Sequence, residues 1–212
     1  FTISVDILHT TCFKEFIYVL GTAVYEKVAS KSDKMRRLFM MTLRSLSASF
    51  GYDPIQNTPT FDVKLGDINM PEYTIKEIFE FIEHADKRCL VVIDEFQQIT
   101  KYPEKNIEAI LRSYIQKLSN ANFVFAGSQR TILEEMFLSS RRPFFQSAKL
   151  IQLEAIALPI YQAFVIKHFQ EGEKKIMLEA IEKVYTTFRG VTLYMQRIRS
   201  EEHTSELQSR GL

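Results

Sequence analysis

Two acids stand directly behind an apolar run in this chain: Cys89-Leu90-Val91-Val92-Ile93 leads into Asp94-Glu95, and Phe96-Gln97-Gln98 follows. A carboxylate beside an apolar core is costly unless it meets a cation or a reactive water. In an open α/β sheet, ligands sit outside the carboxyl ends of the strands. A plainer alternative is that the acid pair caps the turn or helix that follows. A second apolar run, Asn122-Phe123-Val124-Phe125-Ala126, also ends on polar residues, Gly127-Ser128-Gln129. Elsewhere the chemistry is sparse. His9, His84 and His168 have no acid or thiol at a spacing that would make a nucleophile or a metal site. Cys12 and Cys89 lack CxxC spacing and read as reduced, buried thiols.

Hydrophobic periodicity supplies the elements that must position these residues. Residues 2–8 read as a strand, with Asp6 a buried and satisfied polar residue, and His9-Thr10-Thr11 supplies a polar exit and a threonine N-cap for the helix after it. That helix carries Phe13, Phe16, Ile17, Leu20, Val24 and Val28 on one face. A second helix is expected over residues 32–50, with Met35, Leu38, Phe39, Leu46 and Phe50 as its stripe. Residues 51–71 hold three of the six prolines and two of the seven glycines. They read as an irregular excursion with an extended piece at 60–65. Pro71 opens a helix with the stripe Ile75, Ile78, Phe79 and Ile82. The acid-bearing run reads as a strand buried on both faces. After it come a turn at Tyr102-Pro103, a helix with Ile107, Ile110, Leu111 and Tyr114, the strand ending at Gly127, a short helix at 131–137 and a strand at 149–153. From Leu158 only helices are expected, one of them stopping at Gly190. Strands alternating with helices mean an α/β fold built on a parallel sheet.

The 212 residues, 46% hydrophobic and 25% charged, suit one domain with a small appendage. A net charge of +1 argues for neither nucleic acid nor an anionic membrane as partner of this piece. No signal peptide and no apolar run of membrane-spanning length is present, so no membrane is expected and a cytoplasmic location is. Residues 199–212, beginning Arg199-Ser200-Glu201-Glu202-His203, resemble a translated sequencing adapter. They are set aside as a non-native tail.

The ordered combination of Asp94-Glu95-Phe96-Gln97, then Gly127-Ser128-Gln129, then Arg141-Arg142-Pro143-Phe144-Phe145, Leu150-Ile151-Gln152-Leu153 and Phe188-Arg189-Gly190-Val191-Thr192 resembles the archaeal-type ATPases. These belong to the AAA+ and STAND branch of the P-loop NTPases. The resemblance covers residues 2–198. It implies a three-layer parallel sheet over residues 1–155 that lacks its first, central strand, followed by a truncated helical lid at 156–198. It also implies magnesium and ATP as cofactor and substrate. In such a site Asp94, at the position of the Walker B aspartate, holds the metal, and Glu95 activates the attacking water. Ser128, or Gln129, contacts that water or the phosphate. Arg141 or Arg142, with Arg142 favoured, would be a finger reaching a neighbouring subunit, and Arg189 would touch nucleotide from the lid. The family often has a proline where this chain has Thr192.

No Gly-x-x-x-x-Gly-Lys-Ser/Thr phosphate loop occurs in the 212 residues. The resemblance puts that loop ahead of Phe1, so the chain is expected to begin at the family's second strand. The function implied is an ATP-hydrolysing molecular switch. The alternative is a nucleotide-dependent binding module that does not turn over. Either reading allows a homo-oligomer or a protein partner, and DNA through a domain outside this stretch. A small-molecule α/β enzyme is disfavoured, because the chain offers no nucleophile or histidine site.

Overall fold

The structure is a computed structural model that describes residues 1–29, 33–45, 50–53, 58–61, 68–193 and 195. In chain order the elements are β1 (Thr2–Asp6), α1 (Phe13–Ala29), α2 (Asp33–Thr42), β2 (Phe50–Asp53), β3 (Thr58–Phe61), α3 (Pro71–Glu83), β4 (Cys89–Asp94), a 3₁₀ segment (Phe96–Lys101), α4 (Ile107–Ile115), β5 (Ala121–Phe125), α5 (Arg130–Leu138), α6 (Leu158–Glu171) and α7 (Leu178–Thr187). They fall into two compact units, Phe1–Leu150 and Ile151–Leu212. The expected tail at 199–212, the expected stripe residue Leu46 and the end of the expected lid at Ile198 lie outside the described residues.

The α/β fold expected from the sequence is present. Three strands pair in parallel in the order β1-β4-β5, so the acid-bearing strand is central. The register sets Ile3 beside Val91 and Val5 beside Ile93, and on the other side Val91 beside Phe123 and Ile93 beside Phe125. In-register neighbours of a parallel pair project to one face. That face is where Ile3, Val5, Val91 and Ile93 are buried, in one core with Phe16, Leu20, Ile75, Ile78, Phe79 and Leu111 of the helices. The opposite face carries Thr2, Ser4, Asp6, Leu90, Asp94, Asn122 and Val124, all exposed. Two expectations are corrected here. β4 is buried on one face and not on both, and Asp6 is exposed, because it falls on the open parity of its strand.

The helix expected over residues 32–50 stops at Thr42. The reason lies just beyond, where Ser45 is captured by α3. Its hydroxyl donates to Glu77 Oε2 at 2.6 Å, and its N–H reaches the same carboxylate at 3.1 Å. Phe50 belongs instead to an antiparallel hairpin in which β2 pairs with β3, Phe50 opposite Phe61 and Tyr52 opposite Pro59. Aromatic residues and threonine favour a pleated pair, and Gly51 disfavours a helix.

The strand expected at 149–153 is absent as well. Leu150, Ile151, Gln152 and Leu153 pair with no strand among the described residues, and Ile151 and Leu153 are 76% and 96% exposed. Their alternation satisfies a sequence pattern, but a strand exists only as part of a ladder.

In the second unit α6 and α7 bury a small core of Tyr161, Val165, Ile181 and Met195. α7 ends in a Schellman motif: Arg189 N–H donates to Thr186 O at 3.2 Å and Gly190 N–H to Tyr185 O at 3.0 Å. Arg189 (φ 51°) and Gly190 (φ 73°) are both left-handed. A Cβ at Gly190 would lie 2.8 Å from Ala155 Cβ, so the glycine there is required twice over. Among the described residues no helix is long and apolar enough to cross a membrane.

Candidate functional site

β4 runs apolar until Ile93 and then delivers Asp94 and Glu95 at its carboxyl end. Asp94 is exposed, and its Oδ1 accepts the Glu95 N–H at 2.9 Å. Asp6 lies in register beside it at the end of β1, so two carboxylates project from one face at neighbouring positions. Asp6 is tied back to its own loop, where its Oδ1 accepts Leu8 N–H at 2.8 Å. Like charges one strand apart repel, and a cation between them would relieve that. Asp94 keeps its second oxygen free among the described residues, and this suits magnesium, which takes one or two protein carboxylates and fills its remaining positions with water and phosphate. No group of three or more potential metal-binding side chains is gathered anywhere among the described residues.

Glu95 departs from ordinary backbone geometry. Its φ of 55° and ψ of 37° are left-handed, at a residue that is neither glycine nor asparagine. Such a conformation costs about 1 kcal/mol or more and persists only where the surroundings impose it. Here the surroundings are specific. Phe96 N–H donates to Ala126 O at 2.9 Å, continuing the sheet one step past β4, and Gln98 N–H closes the turn on Glu95 O at 2.8 Å. The half-buried Glu95 carboxylate then receives two donors on one oxygen. Ser128 Oγ reaches Oε2 at 3.0 Å, and Gln97 Nε2 donates to the same Oε2. Oε1 accepts no hydrogen bond among the described residues.

Gln97 is itself fully buried, and its Oε1 has no hydrogen-bond partner among the described residues. An orphaned buried acceptor costs about 1–3 kcal/mol. Its carboxamide lies against Gly127, where an added Cβ would sit 2.0 Å from Gln97 Oε1. Only glycine leaves that space open.

Beneath the acids, Phe96 stacks into a cage with Phe125, Phe137 and Phe144, at centroid distances of 4.3, 6.1 and 5.4 Å from Phe96. Phe144 is the buried residue of the Arg141-Arg142-Pro143-Phe144-Phe145 segment. Arg142 moors the same segment. Its Nη2 meets Glu108 Oε1 at 2.5 Å and its Nη1 meets Glu135 at 3.6 Å, with side-chain exposures of 26% for Arg142 and 13% for Glu108. Burial pushes the Glu108 carboxyl up while the Arg142 guanidinium opposes that shift.

The loop after β1 is fastened to the segment after β4. Gln98 Nε2 donates to Thr10 O at 2.9 Å, and Thr10 Oγ1 meets Tyr102 Oη at 2.5 Å while donating to Ile7 O at 2.6 Å. Burial pushes the Tyr102 phenol up to about 12. The threonine cap expected at the start of α1 is supplied otherwise. The Thr11 hydroxyl donates to Glu15 at 2.9 Å, and the first helical N–H of α1, at Phe13, donates to the Glu104 carboxylate at 3.2 Å. Cys89 is buried, and burial pushes its thiol up, so it is not a reactive group.

Asp94, Glu95 and Ser128 thus converge at one end of the sheet. Gln129 begins the next helix nearby in sequence, is exposed, and offers its backbone O to Ile132 N–H at 3.1 Å. Arg142 is engaged with two glutamates of its own unit, and Arg189 is exposed in the other unit. Sequence reasoning missed Gln97 and Phe144. Phe144 could have been flagged by its place beside a proline in an otherwise polar segment, whereas Gln97 carried no signal beyond adjacency to the acids.

No protein-family model matches the sequence, and no curated protein matches it either. Among solved structures the chain is similar to the Walker-type ATPase PABY2304 of Pyrococcus abyssi, at 13% identity with a TM-score of 0.54. The match covers 99% of this chain and 64% of that one, so the chain spans a little under two thirds of that protein's length. At this identity the likeness is one of fold, a P-loop NTPase-like α/β architecture.

Proposed function

We propose that this chain carries the metal-holding and water-activating side of a magnesium-dependent ATPase that works as a molecular switch. The observation that carries the reading is Glu95: a strained, left-handed residue whose carboxylate has one oxygen fixed by Ser128 and Gln97 and the other left open. The fold likeness to a Walker-type ATPase supports it. Strain of this kind collects where a side chain must be held in one orientation.

Magnesium, held through its water shell by the free oxygen of Asp94, would supply charge neutralisation at the phosphates. Glu95 Oε1 accepts a proton from the attacking water as the water oxygen bonds to the γ-phosphorus. The bridging oxygen then leaves with its electron pair on the diphosphate. Ser128 Oγ keeps the base in line through Oε2 and lies beside the attack position. Gln129, Arg142 and Arg189 stay in the proposal as further contacts. Arg142 could act as a finger only by giving up Glu108. This reading also needs phosphate-cradling amides and a lysine, and the 212 residues contain no Gly-x-x-x-x-Gly-Lys-Ser/Thr loop to supply them.

The test is turnover in the longer polypeptide that includes such a loop. Glu95→Gln is expected to keep ATP binding and to slow hydrolysis by at least about a hundredfold, the scale for loss of a positioned general base. Asp94→Ala is expected to weaken magnesium-dependent binding instead. Equal turnover in wild type and Glu95→Gln would overturn the catalytic reading in favour of a non-hydrolysing nucleotide module. For the 212 residues alone, calorimetric titration with magnesium-ATP is expected to give no binding. Micromolar affinity there would mean that the phosphates are held elsewhere.

A further inference from the structure

We infer that Gln97 is a positioning residue for Glu95, and that Gly127 is glycine to let it be one. The inference rests on the proposed role of Glu95 as base. Three observations converge on it. Gln97 Nε2 donates to Glu95 Oε2, the same oxygen that Ser128 holds. The Gln97 side chain is fully buried, with its Oε1 unpartnered among the described residues. A Cβ at position 127 would come within 2.0 Å of that oxygen.

A glutamine chosen for packing would pair both ends of its amide or be replaced by methionine or leucine. This one pairs only the end that faces the carboxylate. The seat is built from two sides: the 3₁₀ segment fixes the Gln97 backbone two residues after Glu95, and the exit of β5 supplies both the gap at Gly127 and the second donor at Ser128. With two donors on Oε2, the carboxylate cannot rotate without losing one, so Oε1 is the oxygen presented to water. Gln97 touches neither water nor phosphate in this scheme and acts only through Glu95.

Two measurements test it. In the 212-residue chain, the Gln97 side-chain amide ¹⁵N–¹H pair, identified by its loss in Gln97→Met, is expected to resonate apart from exposed carboxamides. It should move on both Glu95→Gln and Gly127→Ala. A Gln97 signal indifferent to both changes overturns the inference whatever the protein hydrolyses. In the longer, turnover-competent polypeptide, Gln97→Met and Gly127→Ala are each expected to lower kcat about tenfold with KM unchanged, the scale for an outer partner that orients a functional side chain. In a Glu95→Gln background, Gln97→Met should cost nothing further. A Gln97→Met enzyme with wild-type kcat, a change confined to KM, or a loss that adds in full to that of Glu95→Gln overturns the positioning role. If Glu95→Gln itself leaves turnover intact, it is the base assignment that has failed, and the amide signal still reports on the contact. Circular dichroism confirms that each variant is folded, and Gly127→Ala keeps the kinetic test available if Gln97→Met is not.

Discussion

The molecule bends its backbone into the left-handed region at Glu95 and again at Glu173 and Arg189, and the two places differ in what the strain accomplishes. In the helical unit the strain ends a helix. Glu173 N–H donates to Gln170 O at 3.0 Å and Lys174 N–H to Phe169 O at 2.8 Å, the same closing pattern seen at Arg189, and glycine would serve at either position. At Glu95 the side chain is the point. Ser128 and Gln97 converge on it, a phenylalanine cage lies beneath it, and a sheet bond from Phe96 N–H to Ala126 O holds its carbonyl side. Strain therefore marks a candidate site only when other groups meet the strained side chain.

The largest expected effect comes from removing the support below Glu95. Phe144→Ala empties the cage and should cost about 3–5 kcal/mol of stability in urea unfolding, the range for a buried phenylalanine. A loss below about 1 kcal/mol would mean that the cage does not hold the acid end of the sheet in place. Next, Arg142→Met strands the half-buried Glu108 and should cost about 1–3 kcal/mol, less than a fully buried pair because both partners keep some water. Glu108→Gln in the same background should recover part of that loss, and no recovery would argue against the ion pair as the mooring.

The sharpest version of the comparison uses glycine at both kinds of site. Glu173→Gly should raise stability by about 1 kcal/mol, since it relieves backbone strain and breaks no side-chain hydrogen bond or ion pair among the described residues. Glu95→Gly relieves the same strain but leaves the buried Gln97 amide without its acceptor, so its net effect should be a loss. Calorimetric melting of the two variants measures both signs, and a shift in the same direction for both would dissolve the distinction.

The smallest effect concerns Tyr102. Tyr102→Phe should cost about 0.5–1 kcal/mol at neutral pH through its bond to Thr10. The pH dependence has a definite sign. The folded phenol ionises at about 12, above its ordinary value of 10.0, so the fold favours the neutral form. That contribution is complete below pH 10 and is lost as pH rises through 12. Urea unfolding between pH 9 and 12 should therefore be flatter in Tyr102→Phe than in wild type.

The parallel sheet was legible in the sequence, and two apolar runs that both stop on polar residues pointed to the strand ends that carry Glu95 and Ser128, though the bond between those two came only from the structure. The failures have separate physical causes. Residues 149–153 carry a strand's alternation, but no described strand pairs with them to complete it. β4 reads as apolar throughout, yet its Leu90 face stays open, since hydrophobicity does not say which face a helix covers. The 3₁₀ segment and the left-handed turn at Glu95 arise from contacts with Ala126 and the phenylalanine cage, which no window around residue 95 contains. Gln97 acquires its role from a gap thirty residues away in sequence.

Thr10 has a consequence for motion. Loops that leave neighbouring strands side by side ordinarily fluctuate independently. Here one threonine takes the Gln98 amide on its carbonyl and the Tyr102 hydroxyl on its side chain, so the exit of β1 and the exit of β4 are tied at one residue. Displacing either loop strains both of those hydrogen bonds, so the two loops are expected to move in concert. Amide hydrogens across the two loops should then open and exchange together, as one mechanical part.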